Sequence, residues 1–165
     1  MNELIERYLL KLEEQLMIKK GKWLADFNES FRDFEVNGND FLMYLEGGTR
    51  TKGFLLSKIA AFLLTPNYKV GVFVYLLKNE RDFQRIVLSL EKLKKKEDME
   101  WLWLIFLKEN EFSKNLIEMV ERDNSKRVGI GLLNLQELER VRKAKVIHNS
   151  SFIGRQIPRY FQVKL

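Results

Sequence analysis

Apolar residues recur at helical spacing at the start of the chain. Between residues 3 and 18, one face collects Leu4, Ile5, Tyr8, Leu9, Leu12 and Leu16. This period predicts an amphipathic helix that ends near Gly21, with lysines in its last turn. Three short aromatic-rich segments then predict antiparallel strands over 23–29, 30–36 and 40–46. Asn37-Gly38 lies between the last two and favours a tight hairpin, since both residues tolerate a positive φ.

Longer apolar runs alternate with amphipathic stretches in the rest of the chain. A nearly all-apolar run from Thr51 predicts a buried helix that Pro66 closes. Apolar runs predict buried strands over 69–77, 100–107 and 127–135, and helical spacing predicts helices after Asn79 and over about 111–123. This order is typical of parallel strands joined by crossover helices. We therefore predict one α/β domain over residues 1–165: an N-terminal helix and an antiparallel three-strand meander, followed by β-α-β-α-β, with a mixed sheet flanked by helices.

The composition narrows the possible chemistry. The 165-residue chain has no cysteine and a single histidine, His148, which excludes thiolate sites and His-rich metal sites. A metal would need carboxylate ligands, which suit Mg²⁺ or Mn²⁺. The sequence contains no Gly-rich dinucleotide loop, P-loop or nucleophile elbow, so no organic cofactor is expected. It also shows no signal peptide and no apolar run of membrane length, and a cytoplasmic protein without a membrane partner is expected.

Positive charge is concentrated near the C-terminus. The net charge is +6, but the segment from Arg140 to Leu165 carries seven basic residues and no Asp or Glu, so residues 1–139 sum to about −1. A basic segment of this kind predicts binding to DNA or RNA. The candidate contacts are Arg142, Lys143, Lys145, Arg155 and Arg159 for phosphates, and Tyr160 for stacking on a base. Alternatively, the aromatic residues of this segment pack on the body of the protein, or the segment docks on a protein partner or a second copy.

The predicted hairpin carries an acid on each arm. Asp33 lies in FRDFEV, and Glu46 ends DFLMYLE. Two carboxylates brought together by the hairpin would bind a divalent metal and activate water for phosphodiester hydrolysis. The alternative is that both are ordinary surface acids, with Glu46 paired to Arg50.

The order helix, three-strand meander, helix and strand, together with these acids, resembles the PD-(D/E)XK nuclease superfamily, the restriction-endonuclease-like fold. The resemblance implies that Asp33 and Glu46 hold Mg²⁺ or Mn²⁺, and that a lysine orients or activates the attacking water. In the family this lysine falls at position 48, where this chain has Gly48. Lys52 or Lys58, on the following predicted helix, would then supply the amine. Arg50 is a further candidate for that role and for contacting nucleic acid.

These observations lead to three functional hypotheses. The first is a nucleic-acid-binding protein of nuclease-like fold whose metal-dependent phosphodiesterase site is incomplete. The second is an active Mg²⁺- or Mn²⁺-dependent deoxyribonuclease. The third is a non-enzymatic module that binds a protein partner or forms a homodimer.

Overall fold

A six-stranded mixed sheet, with strand order β1-β2-β3-β4-β5-β6, runs through the computed structural model, which describes residues 3–49, 68–125, 128–143 and 145–165. The strands are β1 (Asp26–Val36), β2 (Asn39–Gly48), β3 (Lys69–Leu76), β4 (Met99–Lys108), β5 (Val128–Asn134) and β6 (Ile147–His148). β1, β2 and β3 pair antiparallel, and β3, β4 and β5 pair parallel. β6 pairs antiparallel with β5. The predicted α/β class, with a mixed sheet and helices, is confirmed.

In the described part of the chain, five α-helices flank the sheet, and side chains cap two of them. The helices are α1 (Glu3–Met17), α2 (Phe83–Lys96), α3 (Lys114–Arg122), α4 (Leu135–Val141) and the single turn α5 (Ile157–Tyr160). Ser113 caps α3 by accepting a hydrogen bond from the amide of Leu116, and Asn134 caps α4 by accepting one from the amide of Glu137. None of the helices in the described ranges is long and apolar enough to cross a membrane.

The sheet separates two apolar layers. On one face, α1, α4 and the C-terminal residues pack around the buried Trp103 of β4. On the other face, α2 and α3 cover the buried Phe106 of the same strand. Successive side chains of β4 point to opposite faces, and each face is buried under a separate apolar layer. This explains why the strand is apolar almost without interruption.

Most predicted elements are present, and the main error lies in the meander. Residues 23–29 and 30–36 do not form two strands, because Asp26–Val36 is one continuous strand that pairs with β2 along its length. Its register shifts between Phe27 and Glu29, so a bulge interrupts the pattern where a turn was expected. The third antiparallel strand is β3. The helix predicted from Thr51 lies outside the described residues.

Candidate nucleic-acid interface

Asp33 occupies an irregular position in β1. Its φ is 49°, a left-handed conformation that Asp tolerates better than most residues. Phe31 and Phe34 lie on either side of it, and both rings contact Tyr44 on β2, with centroid distances of 5.7 and 4.8 Å. Residues three apart in a regular strand face opposite sides, so the alternation is interrupted here. The side chain of Asp33 is exposed.

The hairpin register holds Asp33 and Glu46 apart. Glu46 pairs with Glu29, and Asp33 lies four residues further along β1. At about 3.3 Å per residue, the two backbones are offset by roughly 13 Å along the strand. In the described ranges, no group of three or more His, Asp or Glu side chains is arranged to hold a metal ion. Asp33 and Glu46 therefore do not fit a shared two-carboxylate metal site in this structure, and their metal-binding and catalytic roles stay predictions.

Glu46 instead has its own partners at the edge of the aromatic layer. Its carboxylate accepts a hydrogen bond of 2.6 Å from the Tyr44 hydroxyl, and it lies 3.3 Å from the Lys69 ammonium. Burial raises the pKa of Tyr44 well above its usual range, and the hydrogen bond to Glu46 and the negative charge of that carboxylate raise it further. Lys69 also lies 3.5 Å from Glu97, so it bridges two carboxylates.

Lys69 is a residue that the sequence analysis missed. It pairs in register with Gly48, the position where the resemblance calls for a lysine. β3 thus places the Lys69 ammonium group beside Glu46. The spacing of residues along β2 alone could not predict this contact. The candidate residues Arg50, Lys52 and Lys58 lie outside the described residues.

Buried apolar side chains hold the basic C-terminal segment, residues 140–165, against the sheet. Val146, Ile153, Ile157, Phe161 and Val163 are all at most 4% exposed. Several hydrogen bonds hold the backbone: the indole of Trp103 donates to the carbonyl of Ile153 (2.9 Å), Gln15 of α1 donates to the carbonyl of Tyr160 (2.6 Å), and the amide of Leu165 donates to the carbonyl of Arg142 (2.8 Å). This outcome matches the alternative in which the segment packs on the body of the protein.

The basic side chains of the same segment point outward. The predicted phosphate contacts Arg142, Lys143, Lys145, Arg155 and Arg159 are all exposed, as are Arg140 and Lys164. Within the described residues, no ion pair involves a cation of this segment. The cations that do form ion pairs lie in α1, the turn after it, β1, β3, β4, α2 and α3. The segment is therefore a fixed surface with uncompensated positive charge.

Tyr160 differs from its predicted neighbours. It is only 4% exposed and lies in the apolar layer, with the guanidinium of Arg159 at 5.2 Å from its ring centroid. A ring in this position is not presented to a base, because both its burial and the Arg159 contact cover it. Tyr160 thus contributes to anchoring the segment, and its nucleic-acid-binding role stays a prediction.

The exposed Trp23 lies just after α1 and follows Lys19, Lys20 and Lys22 in the sequence. In the sequence, these lysines were interpreted only as the end of a helix. An aromatic residue next to a short run of lysines was the signal available there.

The chain was compared with protein-family models, with curated proteins and with solved structures, and no match was found in any of the three.

Proposed function

We propose that this protein binds nucleic acid through the phosphate backbone and does not cleave it. The basic C-terminal segment supplies the contacts, and the fold is a restriction-endonuclease-like variant. The observation that carries the proposal is the segment itself: seven exposed cations on a buried apolar anchor, with no acid within the segment. Cations on an anchored backbone lose less chain freedom on binding than cations on a flexible tail.

The topology supports the fold assignment only in outline. Among the described residues, helix α1, the antiparallel strands β1, β2 and β3, helix α2 and strand β4 occur in this order, and residues 50–67, where the resemblance calls for the helix, lie outside the described ranges. With β3 as the third strand, however, the acid-x-lysine pattern has no counterpart, since KVGVFVYL contains no Asp or Glu. Binding without cleavage is therefore the activity that the residues favour.

The proposal is tested with fluorescence anisotropy on a labelled 20-base-pair DNA duplex between 50 and 200 mM salt. Affinity should fall linearly on a log–log plot, with a slope of about −0.9 per phosphate neutralised. The double variant Lys143→Gln/Lys145→Gln should bind more weakly and flatten the slope by up to about 2.

The matched control is Lys95→Gln/Lys96→Gln, which removes the same charge from exposed lysines of α2, on the other face of the sheet. The control should bind nearly as tightly as the unmodified protein. Equal losses in both variants would show that only net charge matters, and salt-independent binding would exclude phosphate contacts. Cleavage with Mg²⁺ or Mn²⁺ that disappears in Asp33→Ala and Glu46→Ala would establish the nuclease instead.

A further inference from the structure

The residues just after α1 form an exposed aromatic and cationic surface. Trp23 is 79% exposed and Ile18 is 67% exposed. Both lie next to Lys19, Lys20 and Lys22, which are exposed as well. We call residues 18–23 the lysine–tryptophan turn. A tryptophan this exposed is unusual, because its large apolar ring is normally at least partly buried.

The lysine–tryptophan turn is held rigidly against the end of α1. Lys20–Trp23 forms a turn of 3-10 helix, closed by hydrogen bonds from the amide of Leu24 (2.9 Å) and the amide of Ala25 (3.2 Å) to the carbonyl of Gly21. Gly21 packs so closely that a Cβ there would lie 2.4 Å from the Cα of Leu16. Ala25, just beyond the turn, is fully buried. The indole of Trp23 is therefore presented from a fixed backbone.

The charge around Trp23 favours an anionic partner. Lys19 pairs with Glu14 at 2.8 Å. Lys20 and Lys22 form no ion pair within the described part of the chain. Asp26 is the next acid along the chain and is already engaged. Two exposed lysines without an ion pair in the described residues thus lie within three positions of one exposed tryptophan.

The turn and the basic C-terminal segment belong to the same layer. Gln15, one helical turn before Lys19, donates a hydrogen bond to the carbonyl of Tyr160. Leu16 and Ile157 lie in one apolar cluster on this face of the sheet. A nucleic-acid strand bound along the cations of the C-terminal segment would reach the end of α1 without crossing the β-sheet.

We propose that Trp23 is a stacking platform for an unpaired base, and that the lysine–tryptophan turn gives this protein a preference for single-stranded nucleic acid. This inference rests on the proposed function. A solvent-exposed indole stacks on any base, whereas the bases of a duplex are already stacked on one another. An anionic membrane surface is disfavoured, because the apolar face of α1 is buried in the core. Among the described residues of α1 and the turn, Leu10, Ile18 and Trp23 are the only large apolar side chains exposed for insertion.

The test compares a labelled 15-nucleotide thymidine strand with a 15-base-pair duplex, using the full chain. Trp23→Ala should bind the single strand roughly 5- to 150-fold more weakly and the duplex almost unchanged. Trp23→Phe should restore most of the affinity. Leu88→Ala, which truncates an exposed apolar residue of α2 on the other face, is the matched control and should bind normally.

Tryptophan emission provides an independent readout. Trp103 is fully buried and Trp101 is partly buried, so base stacking should quench the emission of Trp23 in particular. The quenching should vanish in Trp23→Phe while binding persists. Unchanged single-strand affinity in Trp23→Ala overturns the stacking platform, but leaves the proposed function standing if Lys143→Gln/Lys145→Gln still weakens binding.

Two other results also overturn the inference. If the unmodified protein binds neither probe, the proposed function fails together with the stacking platform. If Trp23 emission shifts to the blue with vesicles rich in phosphatidylserine and does not respond to the thymidine strand, the turn is a membrane contact.

Discussion

Replacing Asn149 should loosen the attachment of the basic C-terminal segment. Asn149 is fully buried and stands just after β6. Its side-chain oxygen accepts a hydrogen bond from the amide of Ile130 (3.0 Å), and its amide group donates to the carbonyl of Val128 and to Asp123 (both 2.8 Å). The side chain of Asn149 thus forms hydrogen bonds both to β5 and to the residue just after α3.

The cost of Asn149→Ala follows from the groups left behind. The buried amide of Ile130 would lose its acceptor, at about 1–3 kcal/mol, and the bond to the Asp123 carboxylate is worth about 1.5–3 kcal/mol. Val128 keeps a second donor, since the hydroxyl of Ser151 also reaches its carbonyl at 3.0 Å. We expect the free energy of unfolding to fall by roughly 3 to 5 kcal/mol, a large part of the 5–15 kcal/mol typical of a domain.

Urea denaturation followed by circular dichroism measures this loss. The control is Asn115→Ala, an exposed asparagine of α3, which should change the free energy by less than about 0.5 kcal/mol. Hydrogen exchange should also show faster exchange of the Ile130 amide in Asn149→Ala. A loss below about 1 kcal/mol with unchanged exchange would contradict this expectation, because the three hydrogen bonds would then contribute little.

Two further predictions concern other parts of the fold. Although burial raises it, the pKa of Glu80 is lowered overall by hydrogen bonds from Lys108 and Ser113, so its ionised form stabilises the native state above the unfolded pKa of 4.5. Glu80→Gln should cost about 1–2 kcal/mol at pH 7 and progressively less as the pH falls below 4.5, measured by urea denaturation at several pH values; a constant difference would contradict this. Gly129→Ala should destabilise the protein by about 1–3 kcal/mol, because its Cβ would lie 2.5 Å from Cδ1 of the buried Trp103. An unchanged melting temperature would show that Trp103 shifts without cost.

The regular elements were predictable because their apolar periods are uninterrupted. α1 has its six apolar positions on one face, and all six are buried. β4 and β5 read as continuous apolar runs, and both are buried centrally in the parallel part of the sheet. In such segments, local preference and tertiary burial agree, so the sequence is sufficient.

The irregular parts were harder because tertiary contacts decide them. The bulge after Phe27 and the left-handed Asp33 break the alternation of β1, and one long strand therefore looked like two. α4 was missed, although Asn134 followed by Glu137 is a capping signal that the structure uses. The C-terminal segment shows little period, because its regular elements, such as the two-residue strand β6 and the single turn α5, are short, and hydrogen bonds from Trp103 and Asn149 fix other parts of it.

The site was predictable in its charges and less so in its geometry. A count along the sequence locates the basic segment, since charge asymmetry needs no fold to be recognised. The separation of Asp33 from Glu46 depends on a hairpin register, and the contact of Glu46 with Lys69 depends on pairing between strands that are distant in sequence. The spacing of residues along a single strand predicts neither the hairpin register nor the contact between distant strands.

The anchoring of the basic segment explains why its charge and its apolar residues occur together. A flexible basic tail would need no Ile157 or Phe161, both of which are fully buried here. Burying a side chain of this size contributes about 1.5–3 kcal/mol, more than the entropy lost by fixing its own rotamer. Burial of Ile157 also fixes the spacing of Arg155 and Arg159, which lie two residues before and after it. Stability of the segment and definition of the cationic surface are therefore one physical requirement, and a loss of Asn149 that frees the segment should weaken nucleic-acid binding as well as folding.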